Sequence, residues 1–486
     1  MKFRLHGGLG VAHAVSLAFG QHGYHFGVAD QKLYLPAAFH AADPALYPHD
    51  AAFFLNEARF TLFDDAVALT IRAGVPVDFA MFAGQVMSLA LLVAGTRRLL
   101  AVAGVPAAAA WAGVVLLVVT LPAPVAGTRI GILEPYLLPR GLAVGLALWA
   151  FVLAAEGRVV ACVVLAGSAA LHPLTALWSA GHVLAQLPES RWRRLLPAAG
   201  ATLAVVATLG CAASLTPEVD EQTFWRTALA PESFRVRYPP YWPWHEWAGV
   251  MLPIVILALI ARHSPNRAMA RIGRHLAWSA LAGVLLALAI TVAPSRELPL
   301  QPMRQLHLVY VVAVAFLGVW VEQRLLQGRL VRRLGAFAAA VAVVAATQQR
   351  YPSSPFIEWP GRLPDNAYVR AFDWIRTHTA IDARIAVDPF YLRRLGPDWH
   401  AARVFTRRSM LSDAVHDLAP AAMAPPLDER WRAEQRALAG WRTFGPAEFS
   451  RLGRDYNVSW VVVAAEQAPG LDCPFVEPTV RVCVVP

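Results

Sequence analysis

The chain has 486 residues, 57% of them hydrophobic and only 16% charged, with a mean hydropathy of +0.45. Soluble domains carry about 25% charged residues, so a simple soluble enzyme is excluded. A disordered or collagen-like chain is excluded too, because the apolar residues fall in long blocks. A net charge of +10 would suggest nucleic acid in a soluble protein. Here the arginines cluster between apolar blocks, where basic residues hold loops in the cytoplasm, so no nucleic acid is expected.

A membrane-spanning helix needs about 20 mostly apolar residues. In chain order the blocks 77–95, 105–122, 140–155, 195–215, 247–261, 276–293, 306–321 and 335–348 meet or approach that demand. Block 5–24 is diluted by Gly and His but follows Lys2 and Arg4. Its apolar core is poor and no A-x-A cleavage site follows, so it reads as a retained helix rather than a signal peptide.

The basic connectors are Arg97-Arg98, Arg158, Arg191 to Arg194, Arg262 to Arg274, and Arg324 to Arg333. Placing all of them in the cytoplasm leaves 25–76, 123–139, 217–246, 294–305 and everything after 349 outside. Parity then requires the chain to leave and return within 159–187, where Pro173 breaks any helix. A helical hairpin turning at His172-Pro173 satisfies this and brings the total to about 11 spans. The predicted architecture is a polytopic α-helical membrane protein over 1–348, with a long first outer loop 25–76. A small extracytoplasmic α/β domain over 349–486 completes it, with helices at 368–377, 431–441 and 446–455 and strands at 384–388, 459–465 and 480–485. The N-terminus is expected in the cytoplasm and the C-terminal domain in the periplasm.

Four cysteines without a C-x-x-C are too few for a disulfide scaffold. Cys162 and Cys211 lie in apolar blocks and read as buried thiols. Cys473 and Cys483 flank strand-like sequence. Outside the cytoplasm they are expected to join, and in a reducing compartment to stay free.

Candidate chemistry begins in the acidic first outer loop. A carboxylate at a membrane interface can deprotonate a hydroxyl or ligate a divalent cation. Asp30 and Gln31 follow the first helix directly, and Asp43 comes next; Asp43 and Asp50 also fit turns or caps, and Asp64-Asp65 a solvated face. A basic group faces the same side: Arg140, Arg235, Arg237 and Arg304, the last with Gln301 beside it. Guanidinium matches phosphate in a bidentate fork. Each could instead snorkel to headgroups or offset an acid such as Glu134. His172 is an ionisable group at membrane depth and so a functional candidate. Tyr241, within the 237–247 aromatic run, could stack on sugar or belong to an interfacial belt. No P-loop, G-x-G-x-x-G, H-E-x-x-H, G-x-S-x-G or zinc-spaced Cys/His set is present.

The stretches DQKLYLPAAFHAADPALYPHD (30–50), EPYLLPR (134–140), HPLTAL (172–177), RYPPYWPWHEW (237–247), LQPMRQLHL (300–308) and FDWIRTHTAIDARIAVDP (372–389) together resemble the GT-C superfamily of membrane glycosyltransferases. Most similar are the uncharacterised bacterial multi-span proteins related to that superfamily. The resemblance implies a polyprenyl-phosphate sugar donor, a glycan or lipid acceptor, surrounding membrane lipid, and residence in the bacterial inner membrane. It also implies a first-loop acid that supports attack by the acceptor, with inversion; Asp30 matches that acid and Asp43 is the second candidate. Arg140, Arg235, Arg237, Arg304, Gln31, Gln301, His172 and Tyr241 become substrate-binding residues. A divalent cation, Mg or Mn, is compatible with the family, although the compact paired-acid motif is missing. A transporter or flippase of a lipid-linked glycan and a non-catalytic scaffold are the competing readings.

Overall fold

The computed structural model describes residues 2–128, 130–187, 239, 242–290, 301–326, 329–348, 355–389, 391, 400–414, 417–467 and 470–486. Block 195–215, Arg235, Arg237 and Tyr241 lie outside the described residues.

In chain order, α1 (Lys2–His22) leads to α2 (Gln31–Ala42), α3 (Ala52–Ala58) and α4 (Phe63–Arg72). Next come α5 (Val77–Val102), α6 (Ala107–Val119), the antiparallel pair β1 (Pro124–Val125) and β2 (Ile130–Gly131), and α7 (Pro139–Ala155). The chain then forms α8 (Ala161–Leu171), α9 (Pro173–Leu184), α10 (Trp244–His263) and α11 (Arg267–Ile290). A 3-10 turn at Pro302–Gln305 opens α12 (Leu306–Val321), and α13 (Leu330–Gln348) follows. The remainder alternates: α14 (Ala367–His378), β3 (Arg384–Val387), α15 (Ala402–Thr406), β4 (Ser409–Met410), α16 (Leu418–Met423), α17 (Pro425–Ala437), α18 (Pro446–Tyr456), β5 (Trp460–Ala464), β6 (Phe475–Val476) and β7 (Val480–Val484).

These elements form two compact units. Unit one holds Met1–Gly23 and the described residues of 83–348. Among the described residues four helices, Val77–Val102, Trp244–His263, Arg267–Ala289 and Pro302–Leu326, are long and apolar enough to cross a membrane. Ala107–Val119, Pro139–Ala155 and Ala161–Leu171 are shorter and apolar. Unit one's core is aliphatic, built from residues such as Leu99, Val114, Leu148, Val312 and Phe316. Where α6 meets α12, a Cβ added to Gly318 would lie 2.7 Å from the Cα of Gly113. Only two glycines allow backbones to approach so closely, the small-residue packing that membrane helices use in place of a hydrophobic drive. The 159–187 segment breaks into α8 and α9 at His172, as Pro173 requires, and the two helices pack on each other.

Unit two holds Tyr24–Phe82 and the described residues of 349–486. Its five-stranded mixed sheet has the order β4-β3-β5-β7-β6. β3 runs parallel to β4 and β5, while β7 is antiparallel to β5 and β6. Trp441, Phe449, Leu452, Val461 and Cys483 fill one core against the sheet. Cys473 and Cys483 are joined by a disulfide, and Cys162 is a free thiol.

Two buried polar knots tie distant segments of unit two together. Arg403 donates from Nε to Asp50 (2.6 Å) and from both terminal nitrogens to Asp417 (2.7 Å each). Burial disfavours its charge, but Asp417 and then Asp50 more than offset this and hold the guanidinium well above its ordinary pKa. Glu358 Oε1 meets His25 Nδ1 at 3.1 Å and His400 Nε2 at 2.9 Å, while Oε2 accepts from Phe26 N–H at 2.8 Å. Burial would raise the Glu358 carboxyl, yet His400 and His25 prevail and bring it down to about 2.

Candidate functional site

Unit one sets several of its buried polar side chains where three helices begin. α7 opens on Pro139, α9 on Pro173 and the turn into α12 on Pro302. Proline suits the first helical position because its missing N–H would be unpaired there anyway. Each proline is adjacent to, or two residues from, a candidate side chain: Arg140, His172 and Arg304. α9 packs against α7 and against the 302–305 turn, so these helix starts share one neighbourhood. A helix N-terminus carries about half a positive charge, and the arginines reinforce that sign.

The geometry is specific. Arg140 and Glu134 are both buried, and Arg140 donates to Glu134 Oε1 from Nε at 2.8 Å and from Nη2 at 2.6 Å. Gln85 Nε2 donates to the Glu134 backbone carbonyl at 2.9 Å, fixing the turn that carries the acid. Arg304 is buried, and its Nε donates to Gln301 Oε1 at 2.6 Å. Gln301 holds a left-handed backbone, φ 43°, which is strained for a residue with a Cβ. His172 caps α9: its Nδ1 accepts from Thr175 N–H at 3.2 Å and meets Thr175 Oγ1 at 2.9 Å. That bond makes Nδ1 the acceptor and leaves the proton of a neutral ring on Nε2. His307, the second residue of α12, meets the Arg304 carbonyl through Nδ1 at 3.3 Å. Both arginines lie within electrostatic reach of both imidazoles.

Arg140 and Arg304 bring two buried guanidiniums to these helix starts, beside the Glu134 carboxylate that Arg140 grips. Guanidinium favours phosphate or carboxylate by geometry.

The other described candidates, Asp30, Gln31 and Asp43, belong to unit two. Asp30 precedes α2 and is half-buried. The residue before it, Ala29, has φ 46°, the kind of local strain that clusters where a loop must aim a side chain. Gln31 is fully buried and its Oε1 accepts from Gly27 N–H at 2.6 Å. Asp43 closes the far end of α2, is exposed, and accepts from Ala45 N–H at 3.1 Å in a turn. A helix of 12 residues is about 18 Å long, so Asp30 and Asp43 do not meet at one reacting centre. Among the described residues no three His, Cys, Asp or Glu side chains converge to hold a metal ion, and no step is assigned to one.

The structure thus brings together Arg140, His172, Gln301 and Arg304, and places Asp30 with Gln31. Sequence reasoning passed over His307. Its signal was available: an ionisable residue inside an apolar block, three positions after Arg304. It also passed over the His25–Glu358–His400 knot, whose members are up to 375 positions apart and carry no local pattern.

By the length and composition of its helices the chain is a polytopic helical membrane protein. No family model matches it, and no curated protein matches it. Among solved structures it is similar to the arabinofuranosyltransferase AftD from mycobacteria, with 17% identity and a TM-score of 0.49. The match covers 99% of this chain and 40% of that one, so the chain spans well under half the length of the protein it matches.

Proposed function

We propose that the chain is a GT-C-type glycosyltransferase of the inner membrane, transferring a sugar from a polyprenyl-phosphate donor to an extracytoplasmic acceptor. The carrying observation is the pair of buried guanidiniums, Arg140 and Arg304, beside His172 where α7, α9 and the turn into α12 begin. In this reading Arg140 and Arg304 hold the phosphate, and the His172 Nε2–H donates to it. The resemblance assigns Asp30 the proton of the acceptor hydroxyl, whose oxygen attacks the anomeric carbon as the lipid phosphate leaves with inversion. The sequence resemblance of 30–50, 134–140, 172–177 and 300–308 to GT-C proteins supports this assignment. The Cys473–Cys483 disulfide supports an oxidising compartment for unit two, hence an extracytoplasmic C-terminal region.

The test separates binding from chemistry. Full-length protein in lipid nanodiscs is titrated with undecaprenyl phosphate by native mass spectrometry, comparing wild type with Arg304→Ala and Asp30→Asn. Loss of a charge-assisted phosphate contact should weaken binding by about 10- to 100-fold in Arg304→Ala. Asp30→Asn should bind normally and lose transfer from a radiolabelled polyprenyl-phosphate sugar to a membrane acceptor extract. Wild-type binding by Arg304→Ala would remove the phosphate assignment, and wild-type transfer by Asp30→Asn would remove the base.

A further inference from the structure

Gln305 sits beside Arg304 and closes the 3-10 turn Pro302–Gln305. It is 2% exposed, and among the described residues its Nε2 has no hydrogen-bond partner. A primary amide carries two N–H donors, and donors left unpaired away from water destabilise a fold. Nearly all buried polar groups are bonded, and an aliphatic side chain of the same length would fill this place without that cost.

The fold holds the residue firmly while leaving that nitrogen unpaired. The Gln305 carbonyl meets His182 Nε2 at 3.2 Å, and His182 Nδ1 meets Ser279 Oγ at 2.7 Å. His182 belongs to α9 and Ser279 to α11, so both helices fasten the turn. Gly283, one helical turn beyond Ser279, faces the amide: a Cβ added there would overlap the Gln305 amide carbon, oxygen and nitrogen. Glycine weakens a helix interior, and here it provides the room the amide occupies.

The amide shares the surroundings of the candidate site. Arg304 precedes it in the turn and lies within electrostatic reach of His172 and His307. Arg140, His172, Arg304 and His307 are each below a tenth exposed, so Gln305 is as enclosed as they are. The two kinds of donor complement each other: guanidinium meets the anionic oxygens of a phosphate, and a neutral amide meets a phosphoryl or hydroxyl oxygen. A polar group that lowers stability and lies next to binding residues fits a ligand-binding role.

We infer that Gln305 is a further substrate-binding residue, whose amide N–H donates to an oxygen of the lipid-phosphate sugar next to the Arg304 guanidinium. This role rests on the reading of Arg304 as a phosphate residue. The chemistry recognised is a hydrogen-bond-accepting oxygen, carried by the phosphate or by the sugar hydroxyls, and two ligands separate these sources.

Full-length protein in lipid nanodiscs is titrated by native mass spectrometry with undecaprenyl phosphate and with undecaprenyl-phosphate glucose, and thermal unfolding is followed without ligand. Gln305→Leu should weaken binding by about 3- to 10-fold, the loss of one neutral hydrogen bond. The same variant should unfold at a higher temperature than wild type, because the unpaired amide is gone. A structural residue would give normal affinity and a lower midpoint, and either result overturns the inference. Loss toward both ligands puts the amide on the phosphate; loss toward the glucoside alone puts it on the sugar. Gly283→Ala, whose methyl displaces the amide, should weaken binding in the same way, and Gln305→Met reads the site should the leucine variant fail to fold. Wild-type binding by Arg304→Ala removes the phosphate reading and this role with it. Weakened binding by Arg304→Ala beside wild-type binding by Gln305→Leu removes the Gln305 role alone.

Discussion

Unit two sets two carboxylates around one buried arginine; unit one buries two arginines, Arg140 and Arg304, at the starts of helices. Arg403 is bound through three nitrogens by Asp50 and Asp417, a group with formal charge −1. In unit one Arg140 donates to the Glu134 carboxylate and Arg304 Nε to the neutral Gln301 amide oxygen. Burying a charge is tolerable only with compensation. With three guanidinium nitrogens on two carboxylates, the Arg403 site reads as architecture. Burial alone does not separate the sites, since all three arginines are below a tenth exposed; the groups they bond do.

Breaking the Arg403 site should produce the largest effect. Arg403→Ala leaves Asp50 and Asp417 buried without their cation, and should cost unit two about 3–5 kcal/mol, seen as a lowered midpoint in thermal unfolding. Replacing all three by Met, Leu and Leu should recover most of that loss. A wild-type midpoint in Arg403→Ala would mean the knot is not structural. The disulfide comes next. Cys473 and Cys483 are 10 positions apart, and closing so short a loop contributes about 2–3 kcal/mol. Reduction, or Cys473→Ser with Cys483→Ser, should lower the unfolding midpoint of the β-sheet region without changing anion binding.

The Arg304 site should respond in the opposite manner. Arg304→Ala should shift the unfolding midpoint little, by about 1 kcal/mol or less, because its Nε bond goes to a neutral amide and its loss strands no carboxylate there. Its phosphate affinity should nevertheless fall about 10- to 100-fold. Equal losses of stability and affinity would make Arg304 a structural residue like Arg403 and dissolve the contrast between the units.

Much of this organisation was legible in the sequence because it is periodic or local. The α14 helix occupies 367–378 where 368–377 was expected, and β3, β5 and β7 fall within a residue or two of the strands read from alternation. The helix expected at 431–441 lies instead at Pro425–Ala437, since the Pro425-Pro426 pair starts it early and Gly440 stops the chain after it. The break at His172 followed from one proline. The candidate site was partly legible: the charge pattern put 134–140, 172 and 301–304 on one side of the membrane, and the structure gathers those segments. Illegible were the contacts that only folding creates. Nothing near Asp50 announces Arg403, and Asp64, which reads as a solvated helix face, is buried.

Asp64 sharpens the comparison at its smallest scale. It sits in the first turn of α4, and its Oδ1 has no hydrogen-bond partner among the described residues. Burial, with a smaller push from neighbouring Asp65, raises its carboxyl to about 6 despite a lowering backbone hydrogen bond. A carboxyl raised in the folded state holds its proton more tightly there, so its contribution is present below pH about 4 and is lost as pH rises through about 6. Glu358 has the opposite sign: its carboxyl is held down to about 2, so its contribution is present at neutral pH and is lost as pH falls below about 4.5. Asp64→Asn, neutral at every pH, should match wild type near pH 4 and exceed it by about 1 kcal/mol above pH 7, after allowing for solvent screening. Thermal unfolding of both proteins from pH 4 to 8 measures the difference. A gap that stays constant with pH would show that Asp64 ionises freely in the fold, and that this inward carboxyl of α4 meets water after all.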